Sequence, residues 1–218
     1  MRKSSVVASL VLLASVLALP LLAEFKVEKG VAAPGEIPAA LKDVVVSQGL
    51  RVLNDAGAPF LEVWFNKSLS AEPKSAAPDT VYTGIPEGSF FGVVRFVAAG
   101  SDCRGQPIKS GFYSLRYALM PMDGAHLGLS QYRDFVLLVP AGADANPAVN
   151  LKFDEVVGLS RKASGTGHAA SFAMVPPEEV SEPAIGTNDQ GHTILKARIP
   201  TKSGAGLPVG ITIVGKAE

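Results

Sequence analysis

Side chains able to do chemistry are densest between positions 116 and 134. Arg116, Asp123, His126, Ser130, Tyr132, Arg133 and Asp134 all fall in this stretch. A histidine near an aspartate is a base with an orienting partner. Arginines beside them can hold a carboxylate or a phosphate through paired hydrogen bonds. Arg116, Asp123, His126, Arg133 and Asp134 are therefore the candidate ligand-binding residues, on condition that the loop 121–131 folds over the end of a sheet. The plainer reading is a turn with solvated charges, in which Arg116 and Asp134 form a cross-strand pair that fixes register. Loops are polar by default and spacing alone does not orient side chains, so no residue here is assigned a catalytic role.

The remaining candidates are weaker. His126, His168 and His192 each sit near a glycine in a loop. A zinc or copper site needs three or four converging ligands, and these spacings match no metal pattern, so no metal and no cofactor is assigned. Ser164-Gly165-Thr166-Gly167-His168 lacks the lysine of a phosphate-binding loop and reads as a helix-ending turn. Asn188-Asp189-Gln190-Gly191 has too few carboxylates for calcium and reads as a tight turn. Asn66-Lys67-Ser68 matches a glycosylation sequon, a triplet that often arises by chance. Trp64, Phe90 and Phe91 would make a carbohydrate platform if they faced outward, but aromatics in alternating strands belong to the core by default. Cys103 is the only cysteine, which rules out an intrachain disulfide, and it reads as a tolerated, half-buried thiol in a loop. No serine elbow, zinc-protease helix or dinucleotide loop is present in the sequence.

The elements that must position these residues are mostly strands. Leu50–Leu53 and Phe60–Phe65 flank Asn54-Asp55-Ala56-Gly57 and predict a hairpin. In its second arm Leu61, Val63 and Phe65 share one face, and Phe60, Glu62 and Trp64 the other. Ser89–Val97, Phe112–Met120, Tyr132–Val139 and Ala169–Val175 predict four more strands, with the second and third of these antiparallel neighbours. Thr193–Ile199 and Leu207–Val214 alternate cleanly and close the chain as a pair. Phe153–Lys162 breaks the two-residue period: Phe153, Val156, Val157 and Ser160 fall at helical spacing, with acids early and bases late. One further helical turn fits Ala39–Asp43. Seven to nine short strands and one short helix predict an all-β, antiparallel β-sandwich, Ig-like or jelly-roll-like.

Arg2 and Lys3 precede an apolar run from Val6 to Leu22, broken by Ser9, Ser15 and Pro20, with a small residue at Ala23. This is the three-part layout of a signal peptide, expected to be cut after Ala23; the alternative is an uncleaved anchor. The expected organisation is a signal peptide over 1–23, a leader over 24–46 interrupted by Pro34, Gly35 and Pro38, and a β-sandwich over 47–218. Lys plus Arg equals Asp plus Glu at 20 each, so no nucleic-acid footprint is expected. Apolar residues make up 47% and charged residues 18%, the balance of a globular chain.

The stretch Ser101–Tyr117, with its lysine, turn and aromatic-x-leucine strand, resembles a pattern in uncharacterised exported bacterial β-sandwich proteins. Arg133-Asp134-Phe135 before an apolar strand is similar too. The resemblance covers the central third of the chain. It implies an exported sandwich and transfers no activity and no catalytic residue. The expectation is a secreted or periplasmic, non-enzymatic module that binds a protein, glycan or small ligand or serves structurally in the envelope, with no membrane span after cleavage. The alternative is a hydrolase or metal-binding protein built on the 116–134 cluster.

Overall fold

A computed structural model describes residues 25–72, 78–123, 130–176 and 180–215. The segment expected to be a signal peptide and His126 lie outside the described residues. In chain order the elements are β1 (Lys26–Ala32), α1 (Ala39–Lys42), β2 (Gln48–Leu53), β3 (Pro59–Phe65), β4 (Phe90–Phe96), β5 (Gly100–Ser101), β6 (Pro107–Ile108), β7 (Gly111–Leu119), β8 (Asp134–Pro140), α2 (Phe153–Ser164), β9 (Ser171–Val175), β10 (Ala184–Thr187), β11 (Thr193–Ile199) and β12 (Leu207–Val214).

Ten of the strands form one sheet in the order β1-β2-β3-β4-β7-β8-β9-β12-β11-β10, and β5 and β6 make a separate small hairpin. Every pairing in the large sheet is antiparallel. The chain runs from neighbour to neighbour as far as β9. It then crosses to the far edge and returns through β10, β11 and β12, so that β12 lies beside β9 in a Greek-key arrangement. The sheet coils until its edges approach, nearly closing a barrel. Lys29 of β1 meets Glu182, just before β10, at 2.8 Å. The expected class, all-β and antiparallel with one short helix, is the class observed; its facing layers are two halves of one continuous sheet.

Alternation explains what lies inside. Leu61, Val63 and Phe65 of β3 join Val94 and Phe96 of β4, Leu115 and Tyr117 of β7, Phe172 of β9 and Ile211 of β12 in one core. The rings of Phe96 and Phe172 come within 5.9 Å although β7 and β8 lie between their strands, which measures how tightly the sheet curls. On the outer face, the register sets Arg51, Glu62 and Arg95 side by side on β2, β3 and β4. Glu62 is buried between the two guanidiniums at 2.7 and 3.3 Å. Trp64, on the same face, is covered by Ile37, Leu41 and Val45 from the segment around α1.

The segment read as a leader is therefore part of the domain. β1 pairs with β2 along its length, and Trp64 Nε1 donates to the Val31 carbonyl at 2.9 Å. A bulge between Lys29 and Val31, with Gly30 at φ 86°, switches the strand's facing. Val27 packs on the inner core and Val31 on the outer cluster, so no two-residue period survives to be read. Trp64, Phe90 and Phe91 are all buried, so they form no surface platform.

Gly49 makes room for the indole. A Cβ there would lie 2.3 Å from the Val63 carbonyl oxygen and 2.5 Å from Trp64 Cδ1. Gly49→Ala is expected to destabilise the domain by about 1–3 kcal/mol through overpacking. Urea unfolding followed by the fluorescence of Trp64, the sole tryptophan, measures it; an unchanged midpoint would show that the indole is not seated against β2.

Candidate functional site

β7 and β8 are antiparallel neighbours as expected, but their register separates the two charges expected to pair. Arg116 stands opposite Leu137, and Asp134 stands opposite Leu119. The offset of three is odd, so the two side chains leave opposite faces of the sheet. The proposed Arg116–Asp134 pair does not form.

Arg116 instead lies on the outer face with no solvent exposure. Nε and Nη2 donate to Asp144 Oδ2 and Oδ1 at 2.8 and 2.6 Å. Nη1 donates to the carbonyls of Gly88 (2.9 Å) and Val149 (2.7 Å), and Nη2 also donates to that of Asn146 (2.9 Å). These are five acceptors for the five N–H groups of a guanidinium. Ser114 Oγ donates to Asp144 Oδ2 at 2.5 Å, and the guanidinium lies 5.5 Å from the centre of the Phe90 ring. Gly88, at φ 76°, admits this packing: a Cβ there would sit 1.9 Å from the Leu151 carbonyl oxygen.

Asp134 lies on the inner side, where Tyr117 Oη donates to it at 2.6 Å. It also accepts the backbone N–H groups of Val81 (2.7 Å) and Tyr82 (3.0 Å), pinning that loop across the barrel end. Tyr82 Oη donates to the Val175 carbonyl and accepts from Gly210 N. Burial pushes both tyrosine hydroxyls well above the ordinary phenol range, and for Tyr117 the bond to Asp134 adds to it. Arg133 is half-buried and donates from Nε to the Met120 carbonyl at 2.8 Å. Asp123 is exposed. Thus Arg116, Arg133 and Asp134 are tied into the protein at separate places, and Asp123 stands on a different feature, described next.

That feature is a groove of about 270 Å³ between α2 and the outer face of β7 and β8. α2 buries Val156, Ser160, Ala163 and Ser164, at helical spacing. Val156 packs on Ala118, Leu137 and Val139. Beside that contact, Ala118, Phe135, Leu137 and Val157 form an apolar floor. Arg104, Arg161 and His168 line the same groove with Asp123 and Asp154. Sequence reasoning found Asp123 and His168 but neither the groove nor Asp144, because both arise from chain segments that carry no shared periodicity.

His192 lies apart, in a cleft of about 80 Å³ that Cys103, Tyr132 and Asn188 also line. Its Nδ1 is 3.4 Å from Asn188 Nδ2. Asn188 Oδ1 accepts from Gln190 N and His192 N, the tight turn expected there. Among the described residues no three His, Cys, Asp or Glu side chains are placed to share a metal ion. Cys103 is 4% exposed, with Sγ 3.1 Å from Ser171 Oγ. Burial pushes its thiol up to about 11. Asp102, beside it, accepts from Arg104 N, Gln106 N, Gln106 Nε2 and Ser171 N, which fastens the β5–β6 turn to β9.

Comparison with family models, with curated proteins and with solved structures finds no match for this chain.

Arg116→Met is expected to cost about 3–5 kcal/mol, because it strands a buried carboxylate. Adding Asp144→Leu should recover only part of the loss, since the carbonyls of Gly88, Asn146 and Val149 still lack their donor. A double-mutant cycle by urea unfolding measures this, and full recovery would reduce the site to a simple ion pair. Cys103 predicts a pH dependence. Its thiol ionises near 9 when unfolded and about 11 when folded. The unfolded state therefore binds fewer protons in this window, and stability falls as pH rises through it. Cys103→Ala should narrow the gap between urea midpoints taken at about pH 8 and about pH 10.5; an unaltered gap would assign the fall to other groups.

Proposed function

We propose that this chain is an exported domain of the bacterial envelope that binds a small amphipathic ligand in the groove between α2 and the sheet. The observation that carries this is the chemistry of the groove: an apolar floor beneath a rim of Arg104, Arg161, His168, Asp123 and Asp154. Binding sites for small molecules are mostly apolar, with a few polar groups that fix orientation. At about 270 Å³ the groove suits one ring system or one large side chain with a charged end. The charged n-region and apolar run before Ala23 support export. No helix among the described residues is long and apolar enough to cross a membrane. The alternative, a hydrolase or metal-binding protein built on residues 116–134, would need His126 to meet Asp123 or Asp134 in a concave site, and Arg116 and Asp134 are already engaged. Their donors and acceptors are taken up by Asp144, Tyr117 and backbone groups, which favours the groove as the place where ligand chemistry is on offer.

Titration with 8-anilinonaphthalene-1-sulfonate, an apolar body bearing one anionic group, tests the reading. A saturable fluorescence increase is expected. Arg161→Ala should weaken it about tenfold, the loss of one charge-assisted contact. Val157→Trp, which fills the groove, should abolish it. Neither residue is buried, so unfolding midpoints should stay close to those of the parent chain. No saturable increase, or one that neither substitution changes, would sink the proposal.

A further inference from the structure

The chain holds a second concave site, away from α2. It is a pocket of about 240 Å³ among the turn after β3, the segment that precedes α2 and the turn between β11 and β12. Its polar lining is Lys67, Lys202, Ser68, Ser70, Ser89 and Asn150, with Asn66 at its base. Among the described residues no carboxylate lines it. The groove along α2 mixes both signs of charge; the polar groups of this pocket, among the described residues, are cations, hydroxyls and amides, set beside Val44, Leu69, Phe90, Pro147 and Ala148.

We infer that this pocket binds an oxyanion carried on a small hydroxylated molecule, a sugar phosphate or a sugar carboxylate. Three observations support that chemistry. The first is the sign of the lining: two ammonium groups, with no carboxylate beside them among the described residues, create a field that an anion neutralises. Among the described residues Lys67 Nζ has one acceptor, the Asp43 carbonyl at 2.5 Å, which leaves ammonium donors to spare. Lys202 Nζ has no protein acceptor among the described residues. The second is the surrounding set of hydroxyl and amide side chains, which suit the hydroxyls of a sugar.

The third is rigidity. The walls are fixed by backbone hydrogen bonds and by the side chain of Asn66. Lys67 N donates to the Val44 carbonyl, Leu69 N to that of Pro200, and Lys202 N to that of Leu69. The third wall is held from behind by Arg116, whose Nη1 binds the Val149 carbonyl at 2.7 Å. A pocket whose backbone is already ordered loses little freedom when a ligand arrives. The sequon asparagine belongs to this frame: Asn66 Nδ2 donates to the Phe90 carbonyl at 2.8 Å, and its Oδ1 accepts from Ser68 N.

Calorimetric titration of the purified protein with glucose 6-phosphate, glucuronate and glucose tests the inference. Saturable binding of one or both anionic sugars is expected, weakening as salt is raised. Which of the two binds more tightly identifies the oxyanion. Lys202→Ala should weaken binding at least tenfold and Lys202→Glu should abolish it. Lys202 is exposed and its side chain holds nothing in place, so both variants should keep the parent's unfolding midpoint. Arg161→Ala, in the other groove, should leave sugar binding unchanged, which keeps this site separate from that one. Binding of neither anion would overturn the inference. So would neutral glucose binding as tightly as the anions, or an affinity that Lys202→Ala and Lys67→Ala leave intact.

Discussion

The buried guanidinium of Arg116 is the constraint on which the outer architecture depends. A charge without solvent contact is tolerable only if every donor is met. Here the acceptors come from widely separated parts of the chain: Asp144, Asn146 and Val149 after β8, and Gly88 before β4. Meeting the requirement therefore fixes the course of residues 144–150 over the outer face. Lysine, with three donors on a point charge, could not satisfy the same five directions. α2 begins at Phe153, only a few residues beyond Val149, so its approach to β7 and β8 is set by the same anchor. The cationic pocket takes a wall from residues 144–150 through Pro147, Ala148 and Asn150, and the groove takes one from α2, which follows them.

Asp134 does for the inside what Arg116 does for the outside. One strand over and on the opposite face, it gathers a tyrosine hydroxyl and two backbone amides and holds the loop around Tyr82 across the end of the barrel. Neither residue needs the other. Separate satisfaction of the two charges tolerates the odd register offset between β7 and β8, which would have left a direct pair broken across the sheet. The register is set by the apolar alternation of both strands, and the charges take the partners that each face provides.

Much of the fold was legible because most strands keep a two-residue period. β11 and β12 fall where the alternation of Thr193–Ile199 and Leu207–Val214 places them, and α2 begins at Phe153 as its helical spacing predicts. What escaped was structure without period. β1 is bulged at Gly30 and mostly exposed, and β10 is four residues long with no buried position. The polar cluster was legible as composition but not as geometry. Arg116 and Asp134 stand out in the sequence as polar candidates and as an expected cross-strand pair, yet their partners lie elsewhere. Asp144 is 28 residues from Arg116 in a segment that follows no pattern. The groove was illegible for the same reason: its floor is the outer face of β7 and β8, and its rim comes from a loop, a helix and a helix-ending turn.

The filling of the barrel decides where ligands can act. Eight strands already enclose a space just wide enough for side chains to fill, and this sheet has ten. The extra girth is taken up by aromatic rings: Phe91 stacks on Tyr117 at 5.7 Å, and Phe96 touches Phe60, Tyr113 and Phe172. The two edges of the sheet, β1 and β10, approach each other at a seam bridged by Lys29 and Glu182. Its edges carry charged residues and a bulge, features that discourage strand addition from outside. The proposed ligand sites lie on the outer surface, where loops and one helix are fastened to the sheet. The α2 groove and the cationic pocket are both of that kind, and the wall of the second that carries Pro147, Ala148 and Asn150 is held by a guanidinium that solvent does not reach.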